Sequence, residues 1–313
     1  MKHLLLMPCI LLACTACTKE IVSENVSGEF ANAEPITVNV HCQYSITETS
    51  FGESTRATVS KDVTRLSFSV FNSSNECVHS ETQKDGDENF GTLSSFKLTA
   101  GTYTLVAVAH KASNDESACA TITSPTVVSM TEDYLHNTYA GVQPLTLSNT
   151  YDGTTKDVTM TLNLCVTRVQ VKILDKLPEN LGKVVVDVNT GKTPAPNNFS
   201  FNPQEPLFAT GASFEATDAS FKRTWERTSF EDKIGREGIG FAVTAMMNAY
   251  PKTISTMITA YDQAGNQMIT RTFDNVTVKK GTILSINTSL FKQSVAPTIQ
   301  LADWVTENYD VTD

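Results

Sequence analysis

Residues 157–174 read DVTMTLNLCVTRVQVKIL. In the first half of this stretch Val158, Met160, Leu162 and Leu164 alternate with Thr159, Thr161 and Asn163. A period of two puts the apolar side chains on one face of a strand and the polar ones on the other. Beyond Cys165 a second alternating run, VTRVQVKIL (166–174), begins at once. Two strands therefore meet at Cys165 with almost no linker, and a domain boundary is expected there.

The same period extends outward in both directions. Upstream it appears in ITVNVHCQY (36–44), RLSFSVF (65–71) and TYTLVAVAH (102–110). Downstream it appears in KVVVDV (183–188), GFAVTAMM (240–247), TISTMITAYD (253–262), QMITRTF (267–273) and TILSINTSLF (282–291). Asp85-Gly86, Asp152-Gly153, Ala264-Gly265-Asn266 and Lys280-Gly281 punctuate the gaps, and these residue types favour turns. YDQAGNQMITRTF (261–273) is expected to form a hairpin turning at Gly265 and Asn266. Short helical turns are expected only around Thr131–His136 and Phe230–Gly235. The fold class predicted is all-β, two antiparallel β-sandwich domains in tandem over residues 35–164 and 165–313. Residues 191–235, with the Pro- and Asn-rich TGKTPAPNNFSFNPQEP (190–206), are expected to be a long excursion from the second sandwich.

The N-terminus carries a different signal. MKHLLLMPCILLACTAC has one early lysine, an apolar run from Leu4 to Leu12 and small residues before a cysteine. The run is too short for a permanent membrane span and fits a cleaved export signal. A signal that ends on cysteine resembles that of a bacterial lipoprotein, in which the cysteine is acylated. Cys17 is preferred to Cys14, because cleavage before Cys14 would leave a very short signal. Residues 1–16 are thus read as the signal peptide. Cys17 is the expected lipidation site, and the polar residues up to 34 are expected to be a tether.

Composition narrows the function. The chain has 313 residues and a formal net charge of −10, without a basic stripe, so nucleic acid is not an expected partner. No HExxH, GxSxG or GxxxxGK[ST] motif occurs, so no catalytic residue, cofactor or metal is assigned and the chain is not read as an enzyme. His41 and Cys42 are adjacent, but on a strand they point to opposite faces. Asp85, Asp87 and Glu88, and the acidic loop 231–237, lack the full oxygen-ligand pattern of a calcium loop and read as solvated turns. Cys42, Cys77, Cys119 and Cys165 have no zinc spacing. In an exported protein they allow three disulfide pairings, and buried free thiols at Cys42 and Cys165 are the simpler reading.

A family resemblance rests on particular segments. A lipoprotein cysteine and polar tether are followed by Ser54-Thr55-Arg56-Ala57, VTRLSFSVF (63–71) and LTAGTYTLVAVA (98–109). LNLCVTRVQVKI (162–173) and Asp303-Trp304 complete the set. This organisation resembles the fimbrillins of the Bacteroidia type V pili. The resemblance implies two transthyretin-like sandwiches, export to the cell outer membrane as a lipid-anchored precursor, and assembly into a surface fimbrium that supports adhesion. It implies that an arginine-specific protease cuts between Arg56 and Ala57 and removes the strand at 36–44, and that a strand of another pilus subunit fills the groove. The donor segment on this chain would be 296–313, with Ile299, Leu301 and Trp304 filling pockets; equally, residues 296–311 read as the last strand of the second domain. A stalk or accessory subunit is the first expectation and an uncleaved anchor the second; the surface receptor is left unnamed. The alternative from another class is a surface lipoprotein that binds glycans, for which Trp225 would be the stacking platform.

Overall fold

A computed structural model describes residues 34–45, 63–132, 135–148, 155–189, 199–204, 207–208, 221–247, 251–292, 296–303 and 311–312. Nine strands precede Cys165: β1 (Ile36–Ser45), β2 (Arg65–Asn72), β3 (Cys77–Lys84), β4 (Thr92–Leu98), β5 (Gly101–His110), β6 (Thr121–Ser124), β7 (Val127–Met130), β8 (Thr138–Leu147) and β9 (Thr155–Leu164). Eleven follow it: β10 (Thr167–Ile173), β11 (Leu181–Asn189), β12 (Phe199–Asn202), β13 (Leu207–Phe208), β14 (Phe221–Glu226), β15 (Ile239–Ala245), β16 (Lys252–Asp262), β17 (Gln267–Val278), β18 (Thr282–Thr288), β19 (Thr298–Asp303) and β20 (Val311–Thr312). The all-β expectation holds.

Seven of the first nine strands form one sheet in the order β3-β2-β5-β8-β9-β1-β4. Its two ends come face to face. The Phe96 ring of β4 stacks on His79 of β3 at 4.7 Å between centroids and lies 6.3 Å from Phe68 of β2. The core between them holds Val38 and Val40 of β1, Leu66, Phe68 and Val70 of β2, Leu105 of β5, and Met160 and Leu162 of β9. These are the apolar residues that the period of two had placed on one face.

The segment LTAGTY acquires a physical reason here. The Tyr103 hydroxyl donates to the Thr99 carbonyl at 3.0 Å, which folds the ring back over Gly101. A Cβ at Gly101 would sit 3.3 Å from that hydroxyl oxygen, so a side chain there would press on the ring.

After Cys165 two sheets stack, β19-β18-β10-β15-β20 and β14-β11-β16-β17. Rings cross the space between them: Trp225 of β14 meets Phe241 of β15 edge-on at 5.3 Å. Val184, Val186, Val188, Val169, Val171, Leu284 and Ile286 fill the same core.

Several features depart from the sequence reading. Three strand pairs are parallel rather than antiparallel: β1 with β9, β10 with β18, and β15 with β20. The first strand of each half, β1 and β10, lies parallel beside a strand from late in the same half, β9 and β18. Residues 191–235 are not simply an excursion of the second half. Within them β12 pairs antiparallel with β7, Phe199 opposite Met130 and Phe201 opposite Val128, making a four-stranded sheet β13-β12-β7-β6 that joins the two halves. Val108, Val128, Met130 and Leu135 accordingly share one core with Phe201 and the second-half strands, and all the strands belong to one unit, Ala33–Asp313. The helical turn expected at Thr131–His136 is not found among the described residues there. Near Phe230–Gly235, 3-10 turns occur at Arg227–Ser229 and Glu231–Lys233. Asp262 organises the expected hairpin by accepting from the Ala264 and Asn266 amides, with Gly265 at φ +86°.

Candidate functional site

The functional readings concern the two ends of the chain, and the folded part of each end is a strand. β1 lies inside the first sheet with a neighbour on each side. It runs parallel to β9 from Thr37 opposite Thr155 to Ser45 opposite Asn163. On the other side it runs antiparallel to β4, from Ile36 opposite Leu98 to His41 opposite Thr92, with a register shift between Val38 and Val40. Ile36, Val38 and Val40 are buried and Cys42 is half-buried on the same face, while His41 is exposed. Each fully buried aliphatic side chain of this size stabilises by about 1.5–3 kcal/mol, so three of them hold β1 firmly. On the wet face Asn39 donates to Asp157 at 2.8 Å and accepts from the Ser95 amide, and Gln43 donates to Thr161 at 2.9 Å.

The C-terminal end contrasts with this. Among the described residues β19 pairs antiparallel with β18 alone, from Thr282 opposite Asp303 to Asn287 opposite Thr298. Ile299 stands opposite Ile286 and Leu301 opposite Leu284. Residues directly opposite on adjacent strands share a face, so both side chains lean toward the core side of the sheet. Both are well exposed, Ile299 44% and Leu301 40%. An edge strand with uncovered aliphatic side chains is the type of surface that adds to, or accepts, another strand. The point where the tail departs is fixed: the Asp175 carboxylate accepts from the amides of Leu290, Phe291 and Lys292 at 2.8, 2.6 and 2.7 Å. No sequence motif pointed to Asp175; an acidic residue just past a strand is too common to stand out.

Of the residues singled out from sequence, Cys17, Arg56, Ala57 and Trp304 lie outside the described residues. In chain order Arg56 falls between the end of β1 and the start of β2. The structure does not bring the acidic loop residues together as ligands. Asp87 accepts from the Lys84 amide at 2.7 Å within its own turn, and among the described residues no group of three or more His, Cys, Asp or Glu side chains converges to hold a metal ion. Cys42, Cys77, Cys119 and Cys165 are all free. Burial pushes the thiols of Cys42 and Cys165 up to about 12, which makes them unreactive at neutral pH.

Trp225 overturns its expected role. It is 2% exposed, packed edge-on against Phe241 and under the Arg223 guanidinium. It is a core residue and no platform for a sugar. Sequence misled here because the surrounding KRTWERTSF is polar; in β14 Trp225 faces inward while Lys222, Thr224 and Glu226 do not.

The chain spans 88% of its own length and 100% of that of the fimbrial anchor protein Mfa2 from Porphyromonas gingivalis, at 14% identity and a TM-score of 0.43. Against a fimbrial assembly protein from Parabacteroides distasonis the values are 87% and 96% coverage, 14% identity and a TM-score of 0.46. No curated protein matches the chain. The sequence model of one family, described as fimbrillin-A associated anchor proteins Mfa1 and Mfa2, matches residues 32–310, nearly the whole chain and every strand from β1 to β19. The chain belongs to this family of fimbrillin-A associated anchor proteins.

Proposed function

We propose that this chain is a pilus subunit of the anchor kind, held at the outer membrane by lipid on Cys17 and joined to neighbouring subunits by strand exchange through its C-terminal tail. Residues 35–164 and 165–313 would serve as two transthyretin-like modules, and the filament they support would serve adhesion. The observation that carries the reading is β19: an edge strand with one neighbour and two uncovered aliphatic side chains, Ile299 and Leu301. Strand addition supplies backbone hydrogen bonds for affinity, and alternate side chains in pockets supply specificity. Residues 296–313 would be the donor, with Trp304 as a third pocket-filling group.

The family description favours an anchor over the stalk subunit that the Ser-Thr-Arg-Ala context first suggested. The firm hold on β1 from both sides suits a subunit that keeps its N-terminal strand and its lipid. A second reading, a subunit processed between Arg56 and Ala57 by an arginine-specific protease, is favoured by one observation. A cut there falls between β1 and β2 and severs no described strand.

The test is to express the chain with residues 296–313 deleted, or with Ile299→Asp and Leu301→Asp, in cells that assemble filaments. Membrane-bound chain should persist while filaments are shed into the medium. Filaments that stay attached to cells carrying either variant would refute the donor role. Mass spectrometry of the filament-associated chain separates the two readings: an acylated peptide beginning at Cys17 marks the anchor, and an N-terminus at Ala57 marks the processed subunit.

A further inference from the structure

We propose that the chain is built to bear tension along its length, through two clamps in which the first strand of each half is sheared against a parallel strand late in the same half. The inference rests on the reading above for where force enters, at the N-terminal tether and the C-terminal tail. The clamps themselves are features of strand direction. β1 is parallel to β9, so the N-terminal end of β1 and the C-terminal end of β9 lie at opposite ends of the pair. Tension that enters at Ile36 and leaves at Leu164 pulls the two strands past each other along their own axes. All nine registered positions, Thr37–Ser45 against Thr155–Asn163, then resist together. Had the two strands been antiparallel, the same ends would be adjacent and the ladder would open one hydrogen bond at a time.

Three details reinforce the first clamp. β1 also pairs with β4 on its other side, so it cannot slide without breaking both ladders. Asn39 to Asp157 and Gln43 to Thr161 add side-chain hydrogen bonds across the sheared pair. Asn39 also accepts from the Ser95 amide of β4, linking all three strands.

The second half repeats the arrangement. β10 is parallel to β18, Arg168 opposite Ile283 through Ile173 opposite Thr288, and its other edge pairs with β15 along seven positions. Tension that enters at Thr167 and leaves after Thr288 shears this pair too. Its ends are fastened: the Gly281 amide donates to the Val166 carbonyl, the Thr167 hydroxyl to Lys279, and the Leu174 amide to Thr288. Asp175 lies directly in the load path, its carboxylate holding the three amides of Leu290–Lys292 where the tail departs. Between the clamps only Cys165 and Val166 separate β9 from β10. The Cys165 amide is tied to Thr138 of the first half, and the β7–β12 pairing bridges the same joint.

Single-molecule pulling tests this on the full chain, with handles at Glu34 and Lys292, both exposed. Two rupture events should appear, each releasing roughly 400 Å of chain at about 3.5 Å per residue. Handles moved to Ser45 and Leu164, the same end of the parallel pair, should unzip the first clamp at about half that force or less, because bonds then fail singly. Asn39→Ala with Gln43→Ala should lower the force of one of the two events and leave the other unchanged. Equal forces in the two geometries, or extension from Glu34 and Lys292 in many small steps, would overturn the proposal, as would an unchanged pair of events in the double variant. Filament attachment plays no part in this measurement. Clamps that hold while tail deletion leaves filaments cell-bound would therefore remove the pilus reading alone.

Discussion

If the chain is cut at residue 56, β1 should remain in place, and its release should depend on Val38 and Val40. Both side chains are fully buried on the core face of β1, and the strand is paired on both edges. Truncating each valine to alanine removes two methyl groups' worth of buried apolar surface and leaves a small cavity, costing about 2 kcal/mol per site. The two sites are neighbours on one face, so their effects are not strictly additive. A combined loss of about 4 kcal/mol corresponds to roughly a thousandfold weaker hold on the strand. The assay places a specific protease site at residue 56, nicks the purified chain, dilutes it and follows the β1 fragment by native mass spectrometry. The wild-type fragment should stay bound after dilution, and the Val38→Ala/Val40→Ala fragment should dissociate. Loss of the wild-type fragment on simple dilution would refute the reasoning, as would equal retention in the two proteins. If it is sound, a cut alone does not open the groove, and an incoming strand must displace β1.

Other outcomes follow from buried groups. Trp225→Ala should cost about 3–5 kcal/mol in urea unfolding, as removal of a core aromatic does; a change under 1 kcal/mol would contradict its packing against Phe241. Phe201→Ala should destabilise by a similar ~3–5 kcal/mol and expose Val128 and Met130 in hydrogen exchange, whereas unchanged protection there would deny that β12 welds the halves. Glu132 lies against His110 at 3.2 Å with both side chains buried. Burial alone would raise its carboxyl, but hydrogen bonds from His110 and Ser113 outweigh that and hold it below its ordinary value. The ionised form therefore contributes stability that is complete above the ordinary carboxylate value and lost as pH falls through the lowered one. Glu132→Gln should flatten that acid-side decline in unfolding midpoint, and an unchanged slope would assign it to other groups. With a thiol-alkylating reagent at neutral pH, Cys77 should react before Cys42 and Cys165, which burial keeps protonated; peptide mapping with Cys165 labelled first would contradict the burial.

What the sequence made legible follows from which strands bury a single face. β9, with Val158, Met160 and Leu162 buried between exposed threonines, carries the alternation that announced it. β3 was invisible because it is a sheet edge with both faces largely wet, and CVHSETQK has no apolar rhythm. β8 was hidden by Pro144, which normally argues against a strand. It is tolerated because β9 pairs with β8 only at Tyr139 and Ala140, so Pro144 falls where that side of β8 has no ladder to break. The β7–β12 bridge was illegible for another reason. Four-residue strands give too few positions for a period, and the pairing joins residues about seventy apart in sequence. At the candidate site, Ile299 and Leu301 were singled out by the family resemblance, whereas Asp175 was not, since its role exists only once β10 and β18 lie side by side.

β1 and β19 differ in a way that gives the chain a direction. β1 buries three aliphatic side chains and has two neighbours; β19 has one neighbour and leaves Ile299 and Leu301 two-fifths or more exposed. At about 25 cal/mol for each Å² of apolar surface removed from water, the partly covered strand is held by less free energy per residue than the enclosed one. It also loses fewer hydrogen bonds on leaving. Any competition for strand partners will therefore mobilise the tail before it mobilises β1. Asp175 sharpens the asymmetry by fastening residues 290–292, which holds the end of β18 and the core beneath it independently of β19. On the proposed reading as an anchor joined by strand exchange, a firmly held β1 and a loosely held β19 would let the chain give a strand without first surrendering one.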